Sequence, residues 1–143
     1  MARKITYRGL ARYKYSLMEP HVVETGFEIA KAVATHHGWI RMDRAGCVTI
    51  KKAYAWDGPS GPTVDTKDFM RGALVHDALY QLMREKLLAQ KMRKPADRLL
   101  WQMCREDGMS KLRADYVYHA VRAFGASSAR PPKKRKEIRQ TAP

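Results

Sequence analysis

The sequence is short of cysteine, of acidic residues and of long apolar runs. Cys47 and Cys104 are the only cysteines in 143 residues, and no CxxC or Cys/His cluster accompanies them. This excludes a disulfide scaffold and leaves a structural zinc site without ligands of workable spacing. The thiol usage suits a reducing compartment. No stretch approaches the roughly 18–20 consecutive apolar residues of a membrane span. The opening MARKITYRGL has no apolar run of the signal-peptide kind, so neither a signal peptide nor a transmembrane segment is expected. Asp and Glu number 14 against 28 Lys and Arg, a net charge of +14. That imbalance favours an anionic partner, whether lipid surface, nucleic acid or acidic protein, and says little about fold.

What is present is enough for one folded domain. The hydrophobic fraction of 45% supports a core, and the length fits a single unit. The expected division is a single α+β domain over residues 1–125 and a disordered basic tail over 126–143. In that tail Arg130, Lys133, Lys134, Arg135, Lys136 and Arg139 face only Glu137. Its PPKKRK run resembles an import signal, but no DNA- or RNA-binding pattern accompanies it, and a solvated tail explains it as well.

Residues 4–53 read as a small β-sheet. Segments 4–8 and 13–17 alternate large and polar side chains. Pro20 argues against a central strand around it, and FEIAKAVAT (27–35) reads as a short helix or a strand, with strand favoured. Trp39–Met42 and Cys47–Ile50 flank Asp43-Arg44-Ala45-Gly46, a connection suited to a hairpin. Three helices follow the sheet. The first is expected over 66–92, with Thr66 as N-cap and Phe69, Ala73, His76, Tyr80, Met83 and Leu87 on one face. The second opens with Pro95 in its first position and stops at Gly108, with Asp97, Leu100, Trp101 and Cys104 along one face. The third runs from the N-cap Ser110 to Phe124, and Ala114, Val117, Val121 and Phe124 make its apolar stripe.

Between sheet and helices lies the stretch that draws attention, Tyr54 to Tyr80. Its Gly/Pro-rich turn Trp56-Asp57-Gly58-Pro59-Ser60-Gly61-Pro62 enforces an irregular backbone. His76 and Tyr80 are one helical turn apart, and Asp77 is rotated from His76 by about 100°. Asp97, opening the next helix, can reach back to orient the His76 ring, as a carboxylate does for a general-base histidine. The bland alternative is a buried, satisfied histidine, with Asp97 favouring a helix N-terminus. Asp77 beside a loop rich in carbonyls suits a hard cation such as calcium. The alternative there is a turn held by Asp57 and Ser60 side chains bonding the backbone.

The segment WDGPSGPTVDT…HDALYQLMR, the later Ala-Asp and the closing YHAVRAFG resemble an uncharacterised family of small phage and prophage proteins, a domain of unknown function. That family has an Asp-x-x-Ser-x-Pro loop, a His-Asp-x-Leu-Tyr helix, a downstream Ala-Asp and a terminal Val-Arg-x-x-Gly. The resemblance covers roughly residues 50–125 and implies host cytoplasm or virion, with a virion or host protein as partner. More distantly, the stretch is similar to the secreted phospholipase A2 pattern of calcium loop, His-Asp-x-x-Tyr helix and antiparallel Asp-bearing helix. This second likeness implies that His76 is the general base, Asp97 its orienting group and Tyr80 a bond to Asp97. It also implies a calcium ion held by Asp77 and by carbonyls of Tyr54, Trp56 and Gly58. The disulfides of that pattern are absent, and Trp56 stands where its loop has glycine. Two functions follow: a calcium-assisted ester hydrolase, or a non-enzymatic virion, assembly or host-interaction protein in which the same residues fix helix packing. A third is a basic nucleic-acid or membrane-surface binder.

Overall fold

The computed structural model describes residues 4–9, 15–56 and 66–132. The loop residues Asp57, Gly58 and Ser60, and the tail from residue 133, lie outside them. The architecture is α+β: two small antiparallel sheets precede the helices.

The first sheet joins β1 (Tyr7–Gly9), β2 (Tyr15–Leu17) and β7 (Ala55–Trp56) in that order. The second has the order β3 (His21–Glu24), β6 (Cys47–Ile50), β5 (Ile40–Met42) and β4 (Val33–Ala34). The single sheet expected from sequence is therefore two, because β7 returns to pair with β2 rather than with the hairpin. Alternation holds in the larger sheet. Val23, Val48 and Met42 are aligned across three strands, as are His21, Ile50 and Ile40, and all six are buried. A period of two puts them on one face. β3, the strand after Pro20, is an edge strand, where proline does least harm.

The β5–β6 hairpin forms as expected. The Asp43 carboxylate accepts from the Cys47 amide at 2.8 Å, and Gly46 takes φ +91°. A Cβ on Gly46 would lie 2.5 Å from the Phe27 carbonyl oxygen, so the position excludes other residues twice over. Of the 27–35 segment, expected as a strand, only Val33–Ala34 pairs as one, and the chain bends at residues 30–31.

The first helix, α1 (Lys67–Arg84), is the spine of the molecule. It ends eight residues earlier than periodicity suggested. Lys86 adopts φ +63°, and the Leu87 and Leu88 amides turn back to the Leu82 carbonyl. This is a left-handed helix stop made without glycine, so the sequence carried no warning of it. Thr66 has N-cap backbone angles but makes no capping bond; its hydroxyl bonds Asp68 and accepts from Arg113 at 2.6 Å. The second helix, α2 (Arg93–Glu106), starts two residues before Pro95. Proline is still accommodated, since first-turn amides have no intrahelical acceptor. The third helix, α3 (Lys111–Phe124), is capped by Ser110, whose Oγ accepts from the Arg113 amide at 3.3 Å. Ala114 and Val117 are buried as expected, but Phe124 is 82% exposed. Residues 126–129, assigned to the tail by composition, form one further turn, α4 (Ala126–Ala129), with Ala129 fully buried.

Both sheets share a core with α1 and α2, in which Leu17, Ile50 and Trp56 pack with Leu74, Leu79 and Met103. A smaller cluster of Phe69, Leu100, Cys104, Met109 and Val117 joins α1, α2 and α3.

Candidate functional site

α1 is buried on nearly every side. From Phe69 to Arg84 it is only part-buried at Asp77, Gln81 and Arg84, which follow one another at helical steps of four and three. All three line a cleft of about 660 Å³ between α1, the segment 53–56 and the ends of α3 and α4. The central helix therefore meets solvent, beyond its first turn, along the cleft. Tyr54, Trp39 and Phe69 give the cleft apolar walls, and His76 and Asp77 supply its ionisable groups together with Arg84.

Behind His76 stands Asp97, fully buried. Its Oδ1 lies 2.7 Å from His76 Nε2 and accepts from the Tyr80 hydroxyl at 2.6 Å. Its Oδ2 accepts from Arg122 Nη1 at 2.8 Å, with Arg93 Nη1 3.6 Å away. Burial alone would raise the Asp97 carboxyl. Hydrogen bonds from His76, Tyr80 and Arg122 outweigh it and hold the group below the usual carboxylate range. Tyr80 is pushed the other way, by burial and by its bond to Asp97, and so stays a phenol that donates. An ionised acceptor on Nε2 favours the Nε2–H tautomer and leaves Nδ1 as the basic atom. Nδ1 faces Asp77, 4.0 Å from its Oδ1, and both residues line the cleft.

The residues singled out on the helices, His76, Tyr80 and Asp97, thus come together in one hydrogen-bonded set, with Asp77 beside it. Sequence reasoning missed the two arginines. Arg93 reaches the last turn of α3, donating to the Val121 and Arg122 carbonyls at 3.1 and 3.4 Å, while Arg122 arrives from that turn. Gln81 was missed too; its Oε1 accepts from the Tyr54 hydroxyl at 2.8 Å. The one available signal was the Val-Arg-x-x-Gly string, which is residues 121–125.

The loop half is different in character. The Tyr54 carbonyl, a candidate metal ligand, accepts from the Leu17 amide at 2.9 Å, so strand pairing uses one of its lone pairs. Trp56 is buried between Tyr7 and Tyr15, and among the described residues its Nε1 meets no acceptor. Gly58, the third carbonyl candidate, and the loop-structuring Asp57 and Ser60 lie outside the described residues. Among those described, no three of His, Cys, Asp and Glu are grouped to grip a metal. Asp77 is the one carboxylate among the described residues lining the cleft. A single carboxylate does not make a zinc site; a hard cation there would take its remaining ligands from carbonyls and water.

Fold and site together define an α+β protein whose central helix presents a His-Asp pair to a cleft, backed by a buried aspartate from the next helix. By sequence the chain belongs to the family described as "Protein of unknown function (DUF1353)", matched over residues 15–121. His76, Asp77, Tyr80 and Asp97 fall inside that span, and Arg122 just beyond it. No curated protein and no solved structure matches the chain. No helix among the described residues is long and apolar enough to cross a membrane.

Proposed function

We propose that this is a phage- or prophage-type ester hydrolase of the phospholipase A2-like kind. His76 is its general base, and Asp97 with Tyr80 are its supporting groups. The observation that carries the reading is the double acceptor role of Asp97 Oδ1, toward His76 Nε2 and the Tyr80 hydroxyl, behind a cleft. In this chemistry His76 Nδ1 takes a proton from a water as it attacks an acyl ester. Asp97 stabilises the imidazolium that forms, and Tyr80 holds the carboxylate in place. The apolar walls of Tyr54, Trp39 and Phe69 suit an acyl chain. A calcium ion held by Asp77 and loop carbonyls would supply positive charge to polarise the ester carbonyl. The net charge of +14 suits an anionic lipid surface as the place of work.

Hydrolysis of phospholipid vesicles, followed by released fatty acid, is the direct test. His76→Gln and Asp97→Asn are each expected to lower the rate by about 10²–10⁴-fold while the far-UV spectrum is kept. Full activity in H76Q would end the proposal. Calorimetric titration of calcium into metal-stripped protein is expected to give a binding isotherm that Asp77→Asn abolishes; heat unchanged in D77N would remove Asp77 as the ligand.

A second reading is favoured by one feature. Asp97 is fully buried and ties α1, α2 and α3 together, as a structural network would. On that reading the protein is a non-enzymatic virion, assembly or host-interaction factor, or a basic binder of nucleic acid or membrane. H76Q would then melt well below wild type, and wild type would release no fatty acid.

A further inference from the structure

The two oxygens of Asp97 are divided between helices. Oδ1 serves His76 and Tyr80 of α1, and Oδ2 serves Arg122 of α3. The last turn of α3 meets this set in three places. The Val121 and Arg122 carbonyls accept from Arg93, which also stands 3.5 Å from the Tyr80 hydroxyl. Arg122 itself reaches Asp97. At Gly125, a Cβ would lie 2.8 Å from the Tyr80 hydroxyl, so a side chain there would press on the phenol. The 121–125 turn is thus the back wall of the His–Asp–Tyr set.

The geometry points to Arg122 as a positioning residue: by occupying Oδ2 it fixes the rotation of the Asp97 carboxylate, and so holds His76 as the Nε2–H tautomer with Nδ1 toward the cleft. A terminal carboxylate torsion is broad and roughly two-fold, so hydrogen bonds must set it. Charge balance alone does not require Arg122, because Arg93 already stands 3.6 Å from Oδ2. What Arg122 adds is a short, directional, charge-assisted bond. Removing it would leave a buried oxygen without its close donor and free the carboxylate to turn toward Arg93. The inference rests on the proposed role of His76, but it concerns the ring's tautomer rather than turnover.

Long-range proton–nitrogen NMR of ¹⁵N-labelled protein reads the tautomer directly, with His76 assigned among the five histidines by its loss in H76Q. Wild type is expected to show neutral His76 as Nε2–H. In Arg122→Gln the ratio of Nε2–H to Nδ1–H should fall by about tenfold or more. Arg122→Lys, the milder change, should fall less, and guanidinium added to Arg122→Ala should restore the wild-type signal, since the Arg122 side chain is 29% exposed and its vacated site can be reached. An unchanged tautomer in folded Arg122→Gln, or in folded Arg122→Ala without guanidinium, would overturn the inference. A shifted tautomer in a protein whose wild type hydrolyses nothing would support Arg122 and sink the hydrolase. Hydrolysis by wild type with no tautomer shift would do the reverse.

Discussion

His21 opens β3, is 2% exposed, and its buried Nε2 has no hydrogen-bond partner among the described residues. Burial first, then the nearby Arg71 charge, lower its pKa, and Asp107 only partly opposes them. The native state therefore binds fewer protons than the unfolded chain just below the usual histidine range. Stability contributed this way is complete above about pH 6.5 and is lost as the pH falls through it. Urea unfolding at about pH 7.5 and about pH 5.5 should show a loss in acid that His21→Gln reduces; an equal loss in H21Q would acquit His21. Cys104 is a simpler case. Burial, with the charges of Asp68 and Asp107 adding to it, pushes its thiol up to about 12. It should be alkylated only on unfolding, which a mass measurement before and after denaturant checks. At this scale the site was half legible. His76 and Tyr80 stand at i and i+4, a relation that any helix enforces, and Asp97 opens the neighbouring helix. Arg122 is 25 residues from Asp97 in sequence, and no local pattern announces a partner at that distance.

Among the elements, what periodicity could register was recovered, and what a backbone angle decided was not. The hairpin was readable because Gly46 marks its turn, and α3 because Ser110 marks its start. The end of α1 was not, because Lys86 holds a position that usually goes to glycine. An L-residue in that conformation costs about 1–2 kcal/mol. Lys86→Gly should raise the unfolding free energy by about 1 kcal/mol at unchanged denaturant slope; a lower midpoint in urea would mean that the lysine side chain contributes more than the strain costs. Phe124 shows the opposite error. It has the right spacing to join Val117 and Val121, yet it is 82% exposed. Spacing reports which residues share a face, but whether a neighbour covers the last turn of that face is a tertiary fact.

For the molecule as a whole, the common core of sheets, α1 and α2 has a consequence for cooperativity. Trp39 and Trp56 report on the β half and Trp101 on α2. If sheets and helices unfold as one, tryptophan fluorescence and far-UV dichroism will give coincident urea transitions, as two-state domains do. Separated midpoints would mean two units. The fold class followed from composition and alternation, since strands crowd the first third and helices the rest. The division into two sheets did not, because it depends on β7 pairing back to β2 across intervening strands.

α1 has thirteen buried residues in its eighteen, and that has a bearing on inheritance. A helix packed on all sides leaves few substitutions without a cost in packing or in buried charge. In a saturation library, residues 69–83 should form a nearly unbroken stretch of intolerance. Its two breaks by packing would fall at Asp77 and Gln81, the part-buried positions on the cleft. Loss of Asp77 in a screen for function, against its survival in a screen for folding, would separate what this helix keeps for chemistry from what it keeps for shape.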